Sequence, residues 1–205
     1  MKNFINFVYI LFRRWLISEN ELSNFINLSN KKILDLGCGY GYLSYLIAKK
    51  FPTSYIVGID VNNSRIERAK QRFKLPNLQF FVGDVCNLDV KDKFDIIIAI
   101  DLFHHIPLEN HDKILYKVRE NLASGGIFIL RDINKNSSLK IFNTLHDGLI
   151  NKFFYPNYKS FSEWRKFLDK FAFRINKIVY FNKIIYPYLY IISSRRTIIS
   201  MNSGE

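Results

Sequence analysis

The stretch ILDLGCGYGYL, Ile33 to Leu43, decides the fold. An apolar run leads into three glycines at alternate places, Gly37, Gly39 and Gly41, with Asp35 two residues ahead of the first. A glycine-rich turn between an apolar run and a helical pattern is where an open α/β sheet holds a nucleotide. The spacing then discriminates among nucleotides. A dinucleotide turn needs G-x-G-x-x-G, whose third glycine lets helix and strand pack closely. Counted from Gly37, that third place is Tyr42. A phosphate loop needs Gly-Lys followed by Ser or Thr, and none follows.

Asp35 sharpens the choice. Beside a pyrophosphate its carboxylate would be repulsive unless solvated or paired, whereas beside an ammonium it is attractive. S-adenosylmethionine has no phosphate, but it has an α-ammonium and a sulfonium. An acid at the glycine turn therefore favours it over a dinucleotide.

Outward from this turn, short apolar runs alternate with helical patterns. Strands are expected at Lys32–Leu36, Tyr55–Asp60, Leu78–Val82, Phe94–Ile100 and Gly126–Ile133. Several are apolar throughout, as for parallel strands covered on both faces. Helices are expected at Tyr42–Lys50, Asn63–Phe73 and Glu109–Leu122, the last stopped by the glycines of NLASGG. Two further acids fall at strand ends: Asp60 closes YIVGID and Asp84 closes FFVGD. Asp60 can accept both ribose hydroxyls, and Asp84 stands where an adenine amino group can donate. Either acid alone can equally be a cap for the helix that follows. Three acids at the carboxyl ends of three successive strands, together with the glycine turn, mark one ligand edge.

The set ILDLGCGYGYL, VGIDVNNSRIERAKQR, FFVGDVCNL, FDIIIAIDLFHHIP and NLASGGIFILRDIN resembles the class I, seven-stranded Rossmann-like family of S-adenosylmethionine-dependent methyltransferases, its small-molecule type. The resemblance covers roughly residues 31–134. It implies a doubly wound, mostly parallel α/β sheet in the order 3-2-1-4-5-7-6, with the last strand antiparallel and helices on both faces. It also implies that Asp35 and the backbone of Leu36, Gly37, Cys38, Gly39 and Gly41 hold the methionine part. Asp60 would hold the ribose and Val61 would pack on the adenine. Asp84 and Val85 would hold the adenine edge. Asp101 and Leu102 would lie under the sulfonium. FRINKIVYF and YLYIISS read as an antiparallel strand pair, with Pro187 at the start of the second.

The expected organisation is one domain over residues 1–205: an N-terminal helical cap (1–30), the cofactor core (31–134), a helical lid (135–172) and the strand pair (173–200). In the cap, Phe4, Val8, Leu11, Phe12 and Trp15 share one helical face. That helix either packs on the domain or lies on a membrane surface. The lid holds a helix over Ser138–Phe153 and another over Phe161–Phe171.

The acceptor is less constrained. The fourth strand ends in DLFHHIP and lacks the Pro-Pro-aromatic signature of many amino-directed nucleic-acid methyltransferases. His104 and His105 stand just beyond the transfer centre. A neutral imidazole there either takes a proton from the acceptor or shapes the cofactor pocket. Transfer to a good nucleophile can also run on proximity alone. In the lid, Phe142 and His146 lie on one stripe with Leu139 and Leu149, so His146 either meets a core partner or faces substrate. The preferred acceptor is a small or lipid-like molecule, methylated at oxygen or carbon.

The charge leaves an alternative. The chain of 205 residues carries a net charge of +12, and from Lys135 onward twelve Lys/Arg face four Asp/Glu. RNA methylation through this basic third is the competing reading. Two cysteines, Cys38 and Cys86, give neither a disulfide framework nor a metal spacing, so no metal and a cytoplasmic setting, with contact at a membrane surface as a variant, are expected.

Overall fold

The structure, a computed structural model, describes residues 19–88, 90, 92–136, 157–183 and 186–196. The N-terminal amphipathic stripe and the lid helix with Phe142 and His146 lie outside these residues.

A short helix α1 (Glu19–Ser23) precedes the alternating part. There follow β1 (Lys32–Leu36), α2 (Tyr42–Lys50), β2 (Tyr55–Asp60), α3 (Asn63–Arg72), β3 (Leu78–Val82), β4 (Phe94–Ile100), α4 (Leu108–Asn121) and β5 (Leu122–Ile133). Then come α5 (Phe161–Lys170), β6 (Phe173–Lys183) and β7 (Tyr186–Arg195). The seven strands form one sheet in the order β3-β2-β1-β4-β5-β7-β6. The first five pair in parallel, and β7 runs antiparallel to both β5 and β6.

The apolar runs explain why the sheet is covered twice. Along β1, Ile33 belongs to one core and Leu34 to the other. Along β4, Ile96, Ile98 and Ile100 face the first core, while Ile97 and Ala99 face the second. The two-residue period of a strand thus splits a continuous apolar run between two faces. Leu22 of α1, Leu43 and Ile47 of α2 and Ile66 of α3 fill the first core. Ile114, Leu115 and Val118 of α4 and Trp164 and Leu168 of α5 fill the second. Leu78 and Phe80 of β3 are buried, but Phe81 and Val82 are 48% exposed.

The expected bounds of β1 to β4 hold, and so does the sheet order. The junction of α4 and β5 is corrected. The helix ends at Asn121, and Leu122 already pairs with Phe94 on β4. The ladder then shifts register and resumes at Ile127 opposite Ile96. The glycines of NLASGG therefore serve a bulge within the strand, not a helix stop. Gly125 takes φ +69 there, a conformation costly for other residues. Pro187 sits opposite Asn182 on β6, one residue before the β5 ladder begins at Tyr188.

Candidate active site

The site is built at the carboxyl edge of β1, β2 and β4. Gly37 and Cys38 donate backbone N–H bonds to the Ile59 carbonyl at 2.8 and 3.0 Å, which folds the turn across the end of β2. Gly37, Gly39 and Gly41 all have positive φ, between +57° and +73°. They differ in what surrounds them. A Cβ on Gly37 would lie 2.7 Å from Leu102 Cδ1, and one on Gly41 would lie 2.4 Å from Phe80 Cζ. A Cβ on Gly39 would meet nothing within 4 Å. The outer glycines are spent on packing, and the middle one opens onto the space at the strand ends.

Asp35 is 3% exposed, and its Oδ2 accepts the Ser44 hydroxyl of α2 at 2.5 Å. Leu36 is buried beneath the turn. Asp60, 5% exposed, accepts the Gly39 N–H through Oδ2 at 2.9 Å and the Asn62 N–H through Oδ1 at 2.8 Å. Asn62, not Asp60, caps α3, by accepting the Arg65 N–H. The helix-cap alternative for Asp60 is thereby removed. Cys38 is buried, and burial first, then the charges of Asp35 and Asp60, push its thiol pKa up. It is a neutral filler of the turn.

Val61 follows at 72% exposure. Asp84 is exposed and caps a single 3-10 turn over Val85–Asn87, accepting the Cys86 N–H and the Asn87 side-chain amide. Val85 is buried. Burial and the neighbouring Asp84 raise the Cys86 thiol to about 11. Here the capping alternative describes the observed contacts of Asp84; its carboxylate oxygens retain further acceptor capacity.

Beyond β4, Asp101 takes φ +52 and Leu102 presses on Gly37. Both follow directly on the carboxyl end of β4, and Asp101 has a partner that sequence reading missed. Arg131 of β5, fully buried, binds both carboxylate oxygens of Asp101 and donates to the Tyr190 hydroxyl at 3.3 Å. Its guanidinium lies 3.9 Å from the Tyr188 ring centre. Tyr190 donates onward to Glu21 of α1 at 2.8 Å. Burial opposes the charge on Arg131, yet Asp101 and the two tyrosines hold its pKa well above the usual value.

His104 is buried, with Nδ1 bonded to Asp132 Oδ1, and His105 is exposed. Their rings are 4.0 Å apart. His111 of α4 also lies here: its Nε2 donates to the Phe103 and Ile106 carbonyls, and its Nδ1 accepts from Lys159 at 2.6 Å. The residues missed from sequence are Arg131, Asp132, His111, Lys159 and Tyr190. The available signal was the Arg-Asp pair in ILRDI, two charges inside an otherwise apolar strand. Among the described residues, no group of three or more His, Cys, Asp or Glu is placed to hold a metal ion. Among them also, no helix is long and apolar enough to cross a membrane.

The chain resembles known proteins in this same region. Residues 27–174 match the family model described as a methyltransferase domain. The chain is 31% identical over 127 residues to cyclopropane-fatty-acyl-phospholipid synthase of Escherichia coli K12, covering 62% of this chain and 31% of that enzyme. It is 30% identical over 149 residues to putative methyltransferase 235L of invertebrate iridescent virus 6, covering 72% and 54%. It is 34% identical over 116 residues to phthiotriol/phenolphthiotriol dimycocerosates methyltransferase of Mycobacterium tuberculosis H37Ra, covering 56% and 42%. The chain thus spans between 31% and 54% of the length of these relatives. Among solved structures, magnesium protoporphyrin IX methyltransferase from Synechocystis PCC 6803 with bound S-adenosylhomocysteine superposes with a TM-score of 0.70, at 20% identity, over 86% of this chain and 80% of that one. With its sheet order, its glycine turn and a family match over most of its length, the chain belongs to the methyltransferase-domain family, the class I group that uses S-adenosylmethionine.

Proposed function

We propose that this protein transfers a methyl group from S-adenosylmethionine to a small or lipid-like acceptor, at oxygen or carbon. The observation that carries the reading is Gly39. Its N–H is tied to Asp60, its Cα faces open space, and buried Asp35 lies on the adjoining strand end. A neutral backbone cradle flanked by carboxylates fits a ligand with an ammonium, a sulfonium and ribose hydroxyls, and it would repel a pyrophosphate.

In this reading Asp35 and the backbone of Leu36–Gly41 hold the methionine end, and Asp60 holds the ribose. Val61 supplies an apolar face for the adenine, with Asp84 and Val85 at its edge. Leu102 and Asp101 lie beneath the sulfonium, with Arg131 fixing the Asp101 carboxylate. When bound, the cofactor supplies a methyl group already activated for displacement. The chain's own work is to hold the acceptor in line and exclude water.

The lipid-like class is favoured because two relatives are named for fatty-acyl phospholipid and for phthiotriol dimycocerosates. The RNA alternative rests on net charge, and the membrane alternative on an amphipathic sequence pattern outside the described residues. Calorimetry with S-adenosylhomocysteine tests the cofactor: saturable one-site binding supports the reading, and none rejects it. Release of S-adenosylhomocysteine in the presence of hydroxylated lipids, phenols or short RNAs then tests the acceptor. RNA binding that weakens steeply with salt would favour the alternative.

A further inference from the structure

The positive charge of the chain is spread unevenly over the fold. Residues 36–59 and 61–77 hold seven Lys/Arg against one acid, Glu67, a surplus equal to half of the net +12. All seven cations are exposed, and they lie on or just beyond α2 and α3. The helices on the other face of the sheet are balanced. There α4 carries Lys113, Lys117 and Arg119 against Glu109, Asp112 and Glu120. Lys117 pairs with Glu120 at 3.0 Å, and Lys170 of α5 pairs with Asp112. On the α2–α3 side Glu67 is taken by Lys70 at 3.1 Å. Among the described residues, Lys49, Arg68, Arg72 and Lys74 have no carboxylate partner.

These cations share one surface. Arg65, Arg68 and Arg72 recur at i, i+3 and i+7, so they form a row along α3. A stacked pair of rings, Tyr45 and Phe73, with centres 4.4 Å apart, joins that row to α2. Lys49 lies 5.9 Å from the Tyr45 ring centre, and Arg72 lies 5.4 Å from that of Phe73. The row starts beside the candidate site. Arg65 is 3.9 Å from Asp60 Oδ2 and 5.8 Å from the ring centre of Tyr40 in the glycine turn. Next to α3, the end of edge strand β3 leaves Phe81 and Val82 half exposed.

Packing gives no reason for this arrangement. Arg68 and Arg72 stand four residues apart, as do Lys70 and Lys74, a spacing at which like charges repel along a helix. An anionic partner relieves that repulsion. Resting on the lipid-like reading of the acceptor, we propose that the α2–α3 face docks on an anionic lipid bilayer. Each Lys or Arg held at such a surface strengthens binding about fivefold. Phe81 and Val82 add apolar contact at the depth of the headgroups. A nucleic acid fits this face less well. A base needs an open ring to stack on, and Tyr45 and Phe73 are stacked on each other beneath Lys49 and Arg72. Docking through α3 brings the strand end that carries Asp60 close to the headgroups, so a lipid-like acceptor enters the site from the bilayer.

Flotation of the full chain tests this, with vesicles of phosphatidylcholine alone or mixed equally with phosphatidylglycerol. Wild type should bind the mixed vesicles and not the neutral ones, and binding should fall as salt screens the charges. Arg68→Gln, Arg72→Gln and Lys74→Gln combined should weaken it by about 100-fold. Lys113→Gln, Lys117→Gln and Lys166→Gln combined should leave it within about threefold. Both triple variants lose the same net charge, so the contrast reads location. Equal loss in the two, no loss in either, or equal binding to neutral vesicles overturns the proposal. So does loss of short-RNA binding in the α3 variant with vesicle binding kept, which would assign the face to nucleic acid. If the α3 triple variant fails to fold, Arg68→Gln alone should still weaken vesicle binding about fivefold. Calorimetry with S-adenosylhomocysteine on the same preparations should give equal affinity for wild type and the α3 variant. A wild type that binds no S-adenosylhomocysteine removes the methyl-transfer reading and this proposal together. Intact cofactor binding without charge-selective flotation removes this proposal alone.

Discussion

Asp60 Oδ2 accepts the backbone N–H of Gly39 at 2.9 Å, joining the end of β2 to the middle of the glycine turn. Its other oxygen holds the Asn62 N–H at the start of α3. One buried carboxylate thus sets the position of the turn and the direction of the next helix. Asp60→Ala would take the acceptor from two partly buried backbone donors. It should cost about 1–3 kcal/mol of stability. It should also weaken S-adenosylhomocysteine binding about tenfold or more, because the charge-assisted bonds proposed between Asp60 and the ribose go as well. Denaturant melts and calorimetry on the same preparation separate the two losses. Intact affinity would show that Asp60 only shapes the turn.

Gly39 and Gly41 should fail in different ways when changed to Ala. Both positions have positive φ, which costs about 1–2 kcal/mol for an L-residue. At Gly41 the methyl also meets Phe80 at 2.4 Å and Ala69 at 3.0 Å, so overpacking adds about 1–3 kcal/mol. At Gly39 it meets only open space, which is where the ligand is proposed to lie. Gly41→Ala should therefore lose mainly melting temperature, and Gly39→Ala mainly ligand affinity. Equal behaviour of the two in both assays would contradict the assignment of the cradle.

The contrast between these glycines shows what was legible in the chain. β1 to β4 were readable because each is a short apolar run ended by Gly or Asp, and local pattern alone sets such bounds. The acids Asp35, Asp60, Asp84 and Asp101 were readable because each falls at a strand end. What each acid touches was not. Asp84 caps a 3-10 turn, and Asp101 is held by an arginine thirty residues away on a neighbouring strand. The start of β5 was misread because Leu122 looks like the last turn of an amphipathic helix, and only its pairing with Phe94 makes it strand. Asp132 and His104 are likewise joined by sheet order, which no local spacing encodes.

Arg131 should be among the most sensitive core positions. It is fully buried and answers the charge of Asp101, whose side chain is 8% exposed. Arg131→Met keeps the volume but leaves that carboxylate without its cation. Breaking a buried pair from one side costs about 3–5 kcal/mol. Asp101→Asn added to Arg131→Met should recover part of the loss, because the stranded charge is gone. Urea melts of the two single variants and the double one check this. A double variant as unstable as the sum of the singles would mean that the pair does not act as a unit.

His111 gives the fold a mild sensitivity to acid. Burial first, and the neighbouring Lys159 second, lower its pKa from the ordinary 6.5. The native state therefore takes up the proton less readily than the unfolded chain does. Stability is fully present above about 6.5 and falls as pH drops through and below that value, since the unfolded state then binds the extra proton. Structurally, protonation would place a second donor at Nδ1, where the ring accepts from Lys159 at 2.6 Å. Glu163 acts in a separate window. The hydrogen bond from Lys135, then those from Ser160, hold its pKa at about 2, so its contribution is present above the ordinary 4.5 and lost as pH falls towards about 2. Calorimetric melts from pH 7.5 down to 5.5 should thus show a falling melting temperature that His111→Gln flattens and Glu163→Gln leaves in place. A wild-type melting temperature constant across that range would show that His111 is protonated as easily in the fold as outside it.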